Sequence, residues 1–310
     1  MSTRRKIILH FNNYAITGGV PCFIADFTRT FPEFQHVVCS LKEPEEYELI
    51  KYWQELGIRY MHANKITRDI IEDISPLIVV LHNIQPKLIE AEYAYDIFFD
   101  RRVIAYNHNV MQPIKNLNID LKVFVSNYIK GDDKEGVIIH PCIYASPYLN
   151  ISRPKRKITV GAFQSSTRGS IQDRVISILK SIPDIDLFIV DKNTNNIKIG
   201  KMPEYLGKID ILAMWTNGPE SWNRITTEAM LSGIPVVVHN NNDGLAEQMR
   251  KSGGGYLVKS EKGFIEGIEY LRDHEEKRKE FSDKGKKWAL KNCSNSTLRK
   301  ALIDKFLDWL

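Results

Sequence analysis

Cysteine is scarce in this 310-residue chain: Cys22, Cys39, Cys142 and Cys293 lie far apart and form neither a CxxC pair nor a histidine-spaced cluster. That excludes a disulfide framework and a zinc knuckle, and it fits a reducing compartment. Long apolar runs are lacking too, the longest being 76–81 and 234–238; a bilayer-spanning helix needs roughly 18–20 residues. The basic start Arg4-Arg5-Lys6 leads into Ile7-Ile8-Leu9, but His10, Asn12 and Asn13 end the run before a secretory core is complete, so a first β-strand is predicted. Nor is there charge of one sign: 43 Lys+Arg against 38 Asp+Glu leave +5, too little to demand a nucleic-acid or membrane partner. Low-complexity tracts and solenoid-period repeats are missing, and 43% hydrophobic residues exclude disorder, collagen and coiled coil as whole-chain readings. A cytoplasmic protein is expected, with peripheral attachment to a membrane as the alternative.

What is present is an alternation. Short β-branched runs at 7–10, 36–41, 58–62, 77–81, 103–106, 122–125 and 137–140 are separated by segments of helical period. The plan repeats with runs at 157–161, 185–190, 209–214, 234–239 and 255–258. Strands alternating with helices predict parallel sheets, and two such series predict two doubly wound α/β domains. The cation-rich segment 150–157, interrupted by Pro154, reads as an exposed linker, placing the boundary near residue 152. Beyond Val258 the chain turns helical, ending in an amphipathic helix from about Ser296 on which Leu298, Leu302, Phe306 and Trp309 share a face.

Ligands of open α/β sheets sit beyond the carboxyl ends of strands, so the strand ends carry the candidates. The first strand runs into Gly18-Gly19, which either form a tight turn requiring positive φ or let backbone approach a substrate. No GxGxxG follows it, so a dinucleotide fingerprint is absent. His82 and His108 close consecutive strands and are expected at a cleft edge, as structural hydrogen-bonding groups or as functional ones. Arg168, in the polar segment after 158–161, is either a surface cation or a fork for a diphosphate. Glu220 lies in a loop after a strand, where it can accept sugar hydroxyls, and Asn223, Arg224, Ile225 and Thr226 open a helix whose N–H groups face phosphate. Glu228, inside that helix, can reach ribose hydroxyls.

The run PESWNRITTEAMLSGIPVVV resembles the donor-site signature of retaining GT-B glycosyltransferases of the family-4-like group, with Glu220 and Glu228 matching its E-x7-E motif. GGV, IAYNHN, VFVSNYIKG, VIIHPCIY, ITVGAF…RG, DGLAEQM and GGGYLV follow the same pattern in order along almost the whole chain. The resemblance implies a GT-B fold: two Rossmann-like domains facing across a cleft, with a C-terminal helix crossing back to the first. The expected domains are an acceptor-binding one over 1–152, a nucleotide-sugar-binding one over 153–292, and the returning helix over 293–310. It implies transfer of a sugar from a nucleotide-diphosphate sugar to an acceptor hydroxyl with retention of configuration, and with no metal or other cofactor. By the same resemblance Glu220 meets the donor sugar, Glu228 the ribose, and the backbone of Asn223, Arg224, Ile225 and Thr226 the diphosphate. Arg168 would meet the leaving phosphate, His108 the sugar or acceptor, and Gly18 and Gly19 the donor phosphate and acceptor. Ala162 stands where the family carries an arginine after glycine, leaving Arg168 as the phosphate cation, and the family's small residues around the loop aromatic, here Trp222, are replaced by Ser221 and Asn223, which is expected to reshape the sugar pocket.

Two further readings stay open at this point. A hydroxymethylated DNA base could be the acceptor in place of a glycan or small molecule, given the basic linker and a pI of 8.8. A non-catalytic GT-B-like binding subunit would account for Ala162 and the short segment 191–208.

Overall fold

The structure is a computed structural model that describes residues 6–15, 18–90, 96–109, 117–153, 157–164, 172–191, 199–216, 218–239 and 243–306. The chain divides into two compact units, one of residues 1–140 with 298–310 and one of residues 141–297.

The first unit is built on seven parallel strands: β1 (Ile7–Asn12), β2 (Gln35–Ser40), β3 (Arg59–His62), β4 (Ile78–His82), β5 (Arg102–Asn107), β6 (Leu121–Phe124) and β7 (Val137–Ile138), in the order β3-β2-β1-β4-β5-β6-β7. Helices α1 (Gly19–Thr30), α2 (Tyr47–Glu55), α3 (Arg68–Ile74) and α4 (Asn127–Lys130) join them. Because successive residues of a strand face opposite sides, Leu9, Phe11, Val37, Cys39, Val79 and Leu81 form one apolar face with Ile71 and Ile74 of α3. The intervening residues, including His10 and His82, lie on the other face beneath Phe23 and Phe27 of α1.

The second unit carries β8 (Thr159–Phe163), β9 (Asp186–Val190), β10 (Ile211–Trp215), β11 (Val236–His239) and β12 (Gly255–Val258), parallel in the order β12-β11-β10-β8-β9. Helices α5 (Asp173–Ser181), α6 (Met202–Leu206), α7 (Arg224–Leu231), α8 (Gly244–Ser252), α9 (Glu261–Asp273) and α10 (Glu275–Cys293) follow. One apolar cluster packs α7, α8 and α10 on the sheet through Met230, Leu231, Leu245, Met249 and Ala289; the other packs α5 and α9 through Leu179, Phe264 and Ile268. Every strand expected from the sequence forms. The two sheets thus have the doubly wound parallel topology that the alternation predicts.

The residues around the expected boundary at 152 belong to the second unit. The N–H of Ile143 donates to Cys293 O at 2.8 Å, Tyr148 is buried, and Arg153 donates to Ser232 O. The division therefore falls at 140/141, where a strand has ended and core packing changes hands.

Helix α11 (Asn295–Phe306) begins where the amphipathic pattern does, with Leu298 and Leu302 buried. From Leu298 onward it counts with the first unit: Arg299 donates to Thr30 O at 2.9 Å, pairs with Glu33 at 2.7 Å and lies over the Phe31 ring. Trp309 lies outside the described residues, as does the side chain of Phe306. Among the described residues no helix is long and apolar enough to cross a membrane.

Candidate active site

Strand order locates the candidate site in each unit. In the second, the chain winds outward in both directions from the β8–β10 pair, and the crevice at such a switch point is where open α/β sheets hold ligands. The loop after β8 contains Arg168, which lies outside the described residues. The loop after β10 carries Glu220 and leads into α7.

That second loop is held by the start of the next helix. Asp243 is the N-cap of α8: its Oδ1 accepts from the N–H of Leu245 (2.9 Å) and Ala246 (3.1 Å), while its Oδ2 accepts from the N–H of Glu220 at 2.6 Å. In return the N–H of Gly244 donates to Glu220 O at 2.8 Å. A Cβ on Gly244 would overlap the Ser221 carbonyl and lie 2.8 Å from Glu220 O, so only glycine lets the two backbones come this close. The Glu220 main chain is thus fixed on both sides, and the residue is buried.

At the head of α7, Asn223 is an N-cap whose side chain accepts from the N–H of Thr226 at 2.9 Å. This cap narrows the expectation for residues 223–226. The Thr226 N–H already has an acceptor within the chain, which makes it the least available of these amides to an anion. Replacing Asn223 by alanine is expected to lower unfolding stability by about 1 kcal/mol, the usual cost of losing such a cap; an unchanged denaturant midpoint would show that the cap contributes nothing.

Arg224 and Glu228 are one turn apart, and their side chains pair internally, Nε to Oε1 at 2.8 Å with both largely buried. Tyr148 OH donates to the same Oε1 at 3.0 Å, and Arg224 also reaches Cys142 O. The carboxylate is therefore oriented by a guanidinium and a phenol, which fix its rotamer. Trp222 is the aromatic of the loop that carries Glu220. It is buried, its indole N–H donates to Thr227 Oγ1 at 3.1 Å, and its ring stacks on Trp288 of α10 at 6.0 Å between centroids. It anchors α7 to α10. Ala162 is buried in the cluster formed with α5 and α9, where a guanidinium would lack partners.

In the first unit the switch point lies between β1 and β4. Gly18 is the extended N-cap of α1 (φ −175°), and among the described residues no heavy atom beyond Gly19's chain neighbours and its own helix backbone lies within 4 Å of a Cβ built on it. The tight turn with positive φ is therefore not formed, and neither dihedral strain nor packing asks for glycine at 19. Across the crevice, Asn83 follows β4 in the left-handed region (φ 51°), and its Oδ1 accepts from the N–H of His108 (2.7 Å) and Asn109 (3.2 Å). Asn13 Nδ2 donates to Asn83 O at 2.9 Å, tying the β1 loop to the β4 loop.

His82 and His108 do not occupy equivalent edge positions. His82 is completely buried and lies between two other histidines, with its Nε2 3.1 Å from His10 Nδ1 and its Nδ1 3.2 Å from His108 Nε2. Burial pushes His82 well below the ordinary histidine value, with the neighbouring His10 and His108 adding to the effect, and burial alone lowers His108 to about 3. Both are neutral imidazoles at physiological pH. Sequence reasoning passed over Asn83 and Tyr148, and took Asp243 and Gly244 only as the start of the DGLAEQM run without giving them a role. The cap pattern of an aspartate and a glycine opening a helix was the available signal for the last two.

Two doubly wound parallel sheets, with a capped helix N-terminus at one switch point and glycines at the other, have the architecture of the GT-B class of fold. Residues 175–288 match the family described as Glycosyl transferases group 1. No curated protein sequence matches the chain. Among solved structures, HepE of Anabaena, in complex with UDP and glucose, is similar with a TM-score of 0.77 and 14% identity over 98% of this chain and 99% of that one. A glycosyltransferase from Rickettsia africae ESF-5 gives 0.73 and 14% over 98% of both chains. Sucrose-phosphate synthase from Thermosynechococcus elongatus gives 0.71 and 10% over 98% and 99%. At these identities the likeness shows the fold.

Proposed function

We propose that this protein is a glycosyltransferase that moves a sugar from a nucleotide-diphosphate sugar to an acceptor hydroxyl with retention of configuration and without a metal. The observation that carries the reading is the Glu220–Glu228 constellation at the β8–β10 switch point. A backbone-clamped Glu220, a capped helix N-terminus and an oriented buried carboxylate stand together within the segment that matches Glycosyl transferases group 1.

In this reading Glu220 fixes the donor sugar and Glu228 the ribose. The amides of Arg224 and Ile225, at the positive end of α7, receive the diphosphate behind the capped pair Asn223 and Thr226. Arg168 neutralises the leaving phosphate. The open space before Gly19, together with Gly18, admits donor phosphate and acceptor in the first unit, where His108 orients a hydroxyl. The protein's contribution is positional and electrostatic: fixed dipoles and cations stabilise charge that develops on the departing diphosphate, so no covalent nucleophile is assigned. UDP is the first nucleotide to try, since HepE was solved with UDP and glucose.

A thermal-shift series with UDP, GDP, ADP and TDP tests the donor site. One nucleotide should stabilise the wild type by about 2.7 kcal/mol at a hundred times its dissociation constant, and Glu228→Gln should lose most of that shift while retaining its own cooperative melt. Donor turnover should persist in EDTA, and the product's anomeric coupling should match the donor's. A protein that no nucleoside diphosphate stabilises overturns the proposal, and an inverted product overturns retention.

A further inference from the structure

Four histidines cross the first sheet in a diagonal line. The β1–β2 register sets Ile8 opposite His36, and His10 stands two residues further on, on the same face. The β1–β4 register sets His10 opposite Val80, with His82 two residues on. The β4–β5 register sets His82 opposite Tyr106, with His108 two residues on. Each step shifts two residues toward the carboxyl ends of the strands, so the line starts inside β2 and reaches the crevice edge at His108.

The rings are joined nitrogen to nitrogen: His36 Nδ1 to His10 Nε2 at 3.1 Å, His10 Nδ1 to His82 Nε2 at 3.1 Å, and His82 Nδ1 to His108 Nε2 at 3.2 Å. At the inner end His36 Nε2 lies 2.9 Å from Phe31 O. A carbonyl only accepts, so His36 must carry its proton on Nε2. A neutral imidazole has one N–H, which leaves His36 Nδ1 bare and makes His10 the donor to it through Nε2. The same step repeated gives His82 Nε2–H, then His108 Nε2–H, and ends on a bare His108 Nδ1. Burial, the largest effect on each of the four, keeps them neutral: His10 and His82 lie well below the ordinary value and His36 below it, although the Phe31 carbonyl and Glu33 act the other way on His36. Phe23 and Phe27 pack on the rings, and Tyr106 OH is turned away to Ile139 O. His108 Nδ1 has no hydrogen-bond partner among the described residues.

We infer that His36, His10 and His82 are positioning residues that lock His108 in its Nε2–H tautomer, so that its Nδ1 is a permanent acceptor at the crevice. The group it receives must carry a hydrogen: a hydroxyl fits and an ionised phosphate oxygen does not. The Phe31 carbonyl makes the chain a lock and not a proton wire, since no proton can leave through it. The use of that acceptor in sugar transfer rests on the function proposed above; the tautomer does not.

The test is long-range proton–nitrogen correlation NMR at pH 7 on protein labelled with nitrogen-15 in its histidine rings. All four chain histidines should show protonated Nε2 and bare Nδ1. A protonated Nδ1 on His108, or an exchange average of the two tautomers, overturns the lock. Two variants separate a lock from mere packing. His36→Phe fills the space but removes the tie to Phe31 O, and should shift His108 to a tautomer mixture. His36→Gln can donate to Phe31 O and accept from His10, and should restore the wild-type pattern. If His108 keeps a single tautomer in a folded His36→Phe protein, the chain does not set it. If that variant fails to fold, the wild-type spectrum decides alone. None of these measurements uses a nucleotide, so a failed nucleotide panel and a failed lock are distinguishable.

Discussion

Acidification from pH 7 to pH 5 should cost this protein a large part of its folding stability, with the first unit giving way first. Four buried histidines of one sheet are held neutral. In the unfolded chain each regains its ordinary value of 6.5, whereas in the fold His108 is lowered to about 3 and His10, His36 and His82 are lowered too. The folded values are the depressed ones, so the stability they confer is present above pH 6.5 and is lost as pH falls toward the folded values, because the unfolded state takes up protons that the fold refuses. His108 alone contributes about 2 kcal/mol to the loss between pH 7 and pH 5, and the other three add in the same direction. Against a total of roughly 5–15 kcal/mol for ordinary domains, that is a steep decline. Urea unfolding followed across this range checks it, since the slope of stability against pH counts the protons bound on unfolding. A slope near zero between pH 6 and pH 5 would mean that the histidines are charged in the fold.

In the proposed glycosyltransferase, Gly244→Ala should abolish most catalytic turnover while leaving a folded protein. The added methyl meets the Ser221 carbonyl and Glu220 O, both backbone, so the loop that carries Glu220 must move and lose the bond from the Gly244 N–H to Glu220 O. A displacement of about 1 Å at a positioning group typically costs about 100-fold in rate, and kcat/KM for the donor sugar should fall by at least about that much. Asp243→Ala attacks the same clamp from the other side. It removes two cap bonds and leaves the Glu220 N–H without its acceptor, so it should destabilise by about 1–3 kcal/mol in addition to slowing turnover. Full activity in Gly244→Ala would show that the Glu220 loop is not part of the reaction site. Retained nucleotide binding with lost turnover would support the proposed division of roles, Glu220 to the sugar and Glu228 to the ribose.

The reach of sequence reasoning differs between the two units. In the second, spacing is enough for most of the local site. A polar loop after a buried strand, Asn223 before a helical period and Glu228 inside it become a loop, a cap and a helical carboxylate, because caps and periodicity are local properties. What spacing could not show is who already holds these groups. Arg224 and Tyr148 orient the Glu228 carboxylate, and Tyr148 is 80 residues away along the chain. Trp222 was legible only as the aromatic of the site loop; its place against Trp288 depends on α10 packing on α7.

In the first unit His82 and His108 were visible as strand-end residues, while His10 was read only as the end of an apolar run and His36 was not singled out. Their meaning depends on β2, β1, β4 and β5 being neighbours in that order and in one register, which no local pattern encodes.

The amino-acid sequence by itself therefore determined the strands, the alternation that makes both sheets parallel and the capped helix at residue 224, because each follows from side-chain period and backbone chemistry within a few residues. Only the tertiary structure decided where the chain divides, which carboxylate is held and by whom, why residue 244 must be glycine and how one carbonyl at Phe31 sets the polarity of a histidine at the crevice. Those depend on strand order and on close approach between distant segments, where contacts of a few ångströms join residues that sequence places far apart.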